Sequence, residues 1–99
     1  MIDQNINSVK SLSCYPNPVS DELTIKYTVT QDGDDVLIAI FDFYGKTIAE
    51  IVNGKHAAES YTITWDGRDM NGVSQQSGTY FVRMISGNKT EVQKIQIVR

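Results

Sequence analysis

The residues most able to do chemistry in this sequence are its single cysteine, Cys14, and its single histidine, His56. A thiol beside an imidazole base could act as a nucleophile. However, Cys14 is followed by Tyr15 and Pro16 in what resembles a packed strand, whereas His56 lies among Lys55 and two alanines in a predicted loop. We interpret them as a buried small apolar side chain and a solvated histidine. Alone they cannot form a disulfide or a zinc site. The pair predicts no catalytic and no metal site, and we expect that the chain is not an enzyme.

Acidic residues cluster in two predicted turns. Aspartates are expected in the Gln31–Asp35 turn, because their side chains bond the local backbone. The second cluster, Asp69-Met70-Asn71-Gly72, resembles the middle of a calcium-binding EF-hand loop. The first and last ligand positions of such a loop would fall on Gly67 and Gly78, so the match fails. A looser calcium site from Asp66, Asp69 and Asn71 remains an alternative. We expect folding to need neither calcium nor a cofactor.

Four aromatic side chains could instead form a platform for stacking sugars: Tyr27, Tyr61, Trp65 and Tyr80. All four fall on the inward phase of predicted strands. Packing in the core is therefore the better interpretation.

Composition indicates which elements must position these residues. Val, Ile and Thr supply 28 of the 99 residues, against seven Leu and Ala. Branched side chains fit a pleated sheet and lose freedom in a helix. The net charge of -3 gives no basic face, which argues against nucleic acid as a partner. The sequence is therefore predicted to be all-β and not to bind nucleic acid.

Alternation and turn residues divide the chain into about seven strands. Residues 1–11 are polar and without periodicity, so we interpret them as a linker from an upstream cargo domain, followed by a domain over 12–99. Strands are predicted near 11–15, 22–30, 36–42, 47–52, 61–65, 78–86 and 89–98, with a loop at 53–60. Gly45 is the expected positive-φ residue of a tight turn. This spacing is typical of an immunoglobulin-like antiparallel β-sandwich.

The order of several short motifs is more specific than the fold. Tyr15-Pro16-Asn17-Pro18 is followed by Phe41-Asp42 with Gly45, then Trp65-Asp66-Gly67, Gly78-Thr79-Tyr80, and a terminal segment from Lys94 to Arg99. In this order the sequence resembles the C-terminal sorting domain, type A, of proteins exported by the type IX (Por) secretion system. The resemblance covers roughly Leu12 to Arg99. Its signal motif would comprise Pro16, Asn17, Pro18, Asp42, Gly45, Gly78, Tyr80, Lys94 and Arg99.

The resemblance implies a non-enzymatic secretion signal. A cargo protein would cross the inner membrane on its own signal peptide, which residues 1–8 do not resemble. It would fold in the periplasm and present this domain to the outer-membrane translocon. A surface sortase would then remove the domain, leaving the cargo secreted or at the cell surface. The expected partners are the translocon, the sortase and the upstream cargo domain in the same chain.

Two expectations concern how the signal is built. Pro16 and Pro18 would form a rigid, non-pairing segment between the linker and the sandwich. The last strand would be an open edge, which a receptor could read by strand addition and through exposed Lys94 and Arg99. Such an edge could also pair with a second copy to form a homodimer. Two other classes stay open, namely an adhesion or spacer module that binds sugar or calcium, and an assembly module like the flagellar hook cap.

Overall fold

The computed structural model describes residues 11–99, and within that range the chain forms seven strands and no helix. They are β1 Leu12–Tyr15, β2 Leu23–Thr28, β3 Asp34–Asp42, β4 Thr47–His56, β5 Ser60–Trp65, β6 Gly78–Ser86 and β7 Lys89–Ile97. Accordingly, no helix in this part of the chain is long and apolar enough to cross a membrane. The all-β prediction is confirmed. The predicted linker lies outside the described residues except for Ser11.

The strands pair into two antiparallel sheets. One sheet has three strands in the order β1-β2-β5, and the other has four in the order β4-β3-β6-β7. Every ladder within the two sheets is antiparallel, and two irregularities in the β3–β4 ladder mark bulges in the register. The arrangement confirms the predicted sandwich of seven strands.

Period-two alternation explains why these segments pair and pack. In β2 the side chains of Leu23, Ile25 and Tyr27 are buried, while Lys26 and Thr28 at the alternate positions are exposed. Because neighbouring side chains of a strand point to opposite faces, one face of each sheet is apolar and covers the other. The core contains Ile38 and Ile40 of β3, Val82 and Met84 of β6, and Ile95 and Ile97 of β7.

The aromatic residues largely follow the prediction. Trp65, Tyr27 and Tyr80 are buried at 4%, 3% and 7% exposure, whereas Tyr61 is half-buried against the core. The Trp65 indole N–H donates to the Arg68 carbonyl at 2.9 Å, which satisfies its polar atom. These rings are part of the sandwich and form no sugar platform.

The predicted loop over 53–60 is wrong in its first half. β4 continues through Asn53, Gly54 and Lys55 to His56, paired with β3 as far as Asp34. Polar residues and a glycine resemble a loop in the sequence, but an edge strand tolerates them because one of its sides faces solvent. His56 is thereby a half-buried strand residue, and the prediction of a solvated loop histidine is wrong.

Candidate functional site

The C-terminal strand β7 is held along its outer edge by the segment that follows β1. The Asn17 side-chain amide donates to the Lys94 carbonyl at 3.1 Å, and the Gln96 N–H donates to Asn17 Oδ1 at 2.9 Å. The next contacts are backbone bonds: Val19 N–H donates to the Gln96 carbonyl at 2.8 Å, and Val98 N–H donates to the Val19 carbonyl at 2.9 Å. Asn17 and Val19 therefore act as a short extra strand.

These contacts correct two expectations. The backbone of β7 from Lys94 to Val98 is occupied by Asn17 and Val19, so this part of the strand is not an open edge. Pro16 and Pro18 do not precede the sandwich, because β1 already pairs with β2 before them. Both prolines follow cis peptide bonds. The Pro16–Pro18 segment places Asn17 against β7 and lies within the domain rather than at its start.

Two polar side chains of β7 form hydrogen bonds with β1 and the residue before it, across the space between the two sheets. Glu91 accepts the N–H groups of Ser11 and Leu12 at 2.9 and 3.1 Å, and Gln93 accepts that of Cys14 at 3.2 Å. An edge strand leaves such N–H groups without a partner from its own sheet. Glu91 and Gln93 supply these partners, so the two sheets are joined along one side of the sandwich.

Arg99 fixes the end of the chain to three loop segments. Its guanidinium donates to the carbonyls of Gln75 at 2.6 Å, Gly67 at 3.1 Å and Ser20 at 3.3 Å. Its backbone N–H donates to Ser77 Oγ at 2.9 Å. Arg99 and Lys94 are both exposed as expected, but the Arg99 guanidinium is held against the fold by these carbonyls.

Gly67 is required for this attachment. It is buried and has φ of +80°, and a Cβ atom at this position would collide with the Arg99 guanidinium. A side chain would therefore be strained by the backbone conformation and would also displace the arginine. From the sequence, Gly67 was part of the Trp65-Asp66-Gly67 motif, with no link to Arg99.

The Asp42–Lys46 turn follows the prediction closely. Asp42 Oδ1 accepts the N–H groups of Tyr44 and Lys46, both at 2.9 Å, and Gly45 has φ of +87°. A positive φ is readily adopted only by glycine. Asp42 and Gly45 thus build the hairpin between β3 and β4.

Gly78 and Tyr80 begin β6 next to that turn. Tyr80 of β6 lies opposite Asp42 of β3, and its hydroxyl donates to the Gln76 carbonyl at 2.8 Å. Burial raises the pKa of Tyr80, the Asp42 carboxylate raises this pKa further, and Arg99 opposes both effects. Gly78 has a φ of +157°, which residues with a side chain rarely adopt, and a Cβ there would make an ordinary contact of 3.9 Å with the Tyr80 ring. Asp42, Tyr80 and Arg99 therefore meet at one end of the sandwich.

Cys14 and His56 have no arrangement for nucleophilic catalysis. Cys14 is buried, and desolvation together with the nearby Glu91 charge raises the pKa of its thiol to about 12. A thiol with so high a pKa is neutral and unreactive at neutral pH. His56 Nδ1 lies 3.0 Å from the Gly54 carbonyl, to which it can only donate, and Nε2 lies 3.0 Å from the Tyr27 hydroxyl, so both ring nitrogens are engaged in local hydrogen bonds.

The acidic loops use their carboxylates locally. Asp66 Oδ1 accepts the Arg68 N–H at 3.1 Å, and Asp69 Oδ1 accepts those of Asn71 and Val73 at 2.9 Å. Among residues 11–99, no three His, Cys, Asp or Glu side chains are grouped as metal ligands. The geometry gives no support to the looser calcium site from Asp66, Asp69 and Asn71.

Taken together, the residues singled out from the sequence surround the second half of β7. Pro16, Asn17 and Pro18 lie along it beside Lys94, while Asp42, Tyr80 and Arg99 lie at its end. Sequence reasoning missed Glu91, Gln93 and Val19. Glu91 and Gln93 share the inward phase of Ile95 and Ile97, and polar residues at inward positions of an amphipathic strand are the signal that could have revealed them.

The fold and this site define a β-sandwich module whose C-terminal strand is fixed by remote segments of the chain. The sequence matches the model of the secretion system C-terminal sorting domain over residues 13–98. The chain belongs to this family, whose members are sorting domains of type IX secretion. Comparison with curated protein sequences gives no match.

Solved structures with the same fold come from two kinds of system. PorZ, a bacterial surface component of the type IX secretion system of Porphyromonas gingivalis, is 22% identical with a TM-score of 0.63 over 89% of this chain. PorU from the same organism, solved as a latent dimer, is 22% identical with a TM-score of 0.72 over 88%. FlgD from Pseudomonas aeruginosa is also 22% identical, with a TM-score of 0.61 over 88%. The chain spans only 11% of PorZ and 9% of PorU, and these likenesses establish the fold alone.

Proposed function

We propose that this chain is the sorting signal that directs a cargo protein through the type IX translocon of the outer membrane. The observation that carries the proposal is the family match over residues 13–98. In this proposal the cargo reaches the periplasm first, and the translocon recognises the folded sandwich. A surface sortase then cuts the chain before the domain, so the domain is a substrate and not a catalyst. The cargo ends at the cell surface or outside the cell.

The held C-terminal strand refines how recognition would work. Strand addition along Lys94–Val98 would require Asn17 and Val19 to leave β7. Recognition of the intact sandwich would instead use side chains that remain exposed, among which Lys94 carries a charge. We therefore assign the signal to the folded C-terminal end and not to a free strand edge.

The test is export of a reporter. Residues 1–99 are fused behind a signal peptide and a fluorescent protein in a host with the type IX system, and surface and periplasmic fluorescence are measured. Deleting Gln93–Arg99 should leave the reporter in the periplasm. Gly78→Val should impair export strongly, because a β-branched residue would be strained at the φ of +157°. Lys94→Ala should impair it partially, since exposed charge interactions contribute only about 0–1 kcal/mol.

Lys26→Ala is the matched control for Lys94→Ala. Both lysines are exposed on strands, but Lys26 lies on the three-stranded sheet, away from β7. Thermal melting of each purified variant separates loss of recognition from loss of folding. Equal export of the intact and truncated fusions would reject the sorting function.

The likeness to FlgD favours one second candidate, an assembly module. A FlgD from Xanthomonas campestris, described in connection with hook capping in flagellar assembly, shares the fold with a TM-score of 0.58. An assembly module would leave export of the reporter unchanged by deletion of Gln93–Arg99. The same experiment therefore distinguishes the two functions. A simple spacer or adhesion module would also leave export unchanged, so the experiment separates it from the sorting signal as well.

A further inference from the structure

The outer face of the four-stranded sheet carries a patch of apolar side chains that nothing in the described structure covers. Leu37 lies opposite Ile85, and Phe41 lies opposite Phe81, with Val92 next on β7. These side chains alternate with the buried residues of their strands and do not belong to the core cluster. Leu37, Phe41, Phe81 and Ile85 are half-buried, and Val92 is 55% exposed. We call these five residues the apolar face.

The outer face of the other sheet shows what an ordinary solvated face looks like in this protein. It carries Thr24 opposite Thr64, Lys26 opposite Thr62, and Thr28 opposite Ser60. Exposed alternate positions of an antiparallel sheet are normally polar in this way. An apolar patch of this kind on a small domain marks an interaction site.

The apolar face contains a groove that could receive a side chain. Phe41, Phe43, Phe81 and Val92 line an open groove of about 250 Å³, and Asp42 and Arg83 are its charged lining residues. The Arg83 guanidinium carbon lies 4.4 Å from the centre of the Phe41 ring. A cation held over an aromatic ring is positioned beside the groove and keeps donors free for a ligand.

The charges on this face identify its partner. Arg83 lies opposite Val92 and Lys94 opposite Phe81, so two cations flank the groove. Within residues 11–99 the only ion pairs are Lys55–Asp35 and Arg68–Asp66, so neither Arg83 nor Lys94 is neutralised by one. Two acidic groups lie in the same region. Asp42 lines the groove, but its Oδ1 accepts the N–H groups of Tyr44 and Lys46 in its own turn, and Glu50 lies on β4 opposite Ala39.

We propose that the apolar face binds a segment of another protein that combines apolar side chains with carboxylates. An aromatic or aliphatic side chain of that segment fills the groove, and an adjacent Asp or Glu pairs with Arg83 or Lys94. Desolvated pairs between guanidinium and carboxylate groups are among the stronger polar contacts at interfaces. This inference does not depend on the sorting role.

Charge also argues against the two other occupants. A second copy packed face to face would bring Arg83 and Lys94 towards their own counterparts, because a two-fold interface uses the same patch twice. An anionic membrane surface would repel a chain of net charge -3, and a groove does not insert into lipid as a protruding side chain does.

The test begins with a displayed library of random peptides selected against the immobilised 99-residue chain. Peptides that pair aromatic or aliphatic residues with Asp or Glu should be enriched. The best peptide is synthesised, and its Kd is measured for the wild type, Arg83→Gln and Val92→Asp. We expect about tenfold weaker binding for each variant, because one loses the charge partner and the other places a carboxylate in the groove.

Lys26→Gln is the control, since it removes a lysine from the polar outer face of the other sheet and should leave the Kd unchanged. Circular dichroism and thermal melting confirm that the variants fold. The proposal is overturned if no peptide is enriched, if the enriched peptides lack acidic residues, or if Arg83→Gln and Val92→Asp bind as tightly as the wild type. Binding of anionic vesicles, or a dimer that Val92→Asp dissociates, would replace it with a membrane or self-association site.

Discussion

The two sides of the sandwich, where edge strands of the two sheets face each other, are built differently. On the closed side, between β1 and β7, Glu91, Gln93, Asn17 and Val19 join the sheets by hydrogen bonds. On the open side, between β5 and β4, side-chain packing predominates, and hydrogen bonds are fewer: the Tyr27 hydroxyl bonds to His56 at 3.0 Å, and Met70 N–H donates to the Ile48 carbonyl at 3.3 Å. Tyr61 stacks on Tyr27 at 5.2 Å between ring centroids and lies edge-on to His56 at 4.8 Å.

This difference shows where the fold is fixed and where it can accept a partner. Hydrogen bonds along the closed side engage the backbone of the last strand, so the C-terminal end is part of the folded unit. On the open side Ile51, Val52 and Ile63 are only partly buried, and among residues 11–99 no strand pairs with the outer edge of β5. Within this part of the chain, the edge of β7 is therefore bonded by other segments, whereas β5 has no further strand beside it.

The largest expected difference comes from removing buried volume on the two sides. Ile95 on the closed side is 0% exposed, whereas Ile63 on the open side is partly buried. Ile95→Ala should cost about 2–5 kcal/mol, because it removes methyl groups and leaves a cavity that the hydrogen-bonded strand cannot close. Ile63→Ala should cost less, since water already reaches the site. Guanidinium unfolding at 25 °C measures both, and an equal or larger loss for Ile63→Ala would contradict the comparison.

A smaller effect is expected from the Asn17 side chain. Asn17→Ala removes the bonds to the Lys94 carbonyl and the Gln96 N–H, and each bond contributes about 0.5–1.5 kcal/mol. We expect a loss of about 1–2 kcal/mol and faster hydrogen exchange at the Gln96 amide. Thr62→Ala on the outer face of β5 is the control and should change stability by no more than about 0.5 kcal/mol. Unchanged exchange at Gln96 would show that Asn17 does not hold β7.

Sequence patterns were sufficient for the number of strands, for most of their bounds and for one turn. Alternation of Leu23, Ile25 and Tyr27 with polar residues predicted β2, and Gly45 was identified as the positive-φ residue of its turn. Both signals are local, since they depend on side-chain period and on glycine geometry within a few residues.

The same patterns could not predict which edges are covered. Asn17 binds β7 from 77 and 79 residues away, and Arg99 reaches Ser20 across 79 residues. No periodicity relates such distant positions, and a terminal strand with exposed Lys94 resembles an open edge. His56 was misplaced for the opposite reason, because its polar neighbours resemble a loop although they pair with β3.

Alkaline pH should affect the closed side first. The pKa of Cys14 is raised from 9.0 to about 12, so the fold favours the neutral thiol. Its contribution to stability is complete below about pH 9 and is lost as the pH rises towards 12. On the open side, burial raises the pKa of Tyr27 and Tyr61 above 10.0, so their contributions begin to fall only above pH 10.

Guanidinium midpoints measured from pH 7 to pH 11 would test this order. The wild-type midpoint should begin to fall near pH 9, and in Cys14→Ala the decline should begin about one pH unit higher. The variant is compared with itself at pH 7, because loss of the buried sulfur lowers its stability at every pH. An identical onset in both proteins would mean that Cys14 does not limit alkaline stability.

The smallest expected effect concerns self-association, which we expect to use the open side. The outward side chains of β5 are Ser60, Thr62 and Thr64, so this edge carries no charge to oppose pairing with a second copy. The edge of β7 is occupied from Lys94 to Val98, and that of β4 carries Glu50 and Lys55.

Thr62→Lys should therefore shift any dimer seen by sedimentation at high concentration towards monomer, while Thr90→Lys at the start of β7 should not. Both threonines are exposed strand residues, so the pair is matched. Dissociation by Thr90→Lys alone would move the interface to the C-terminal strand.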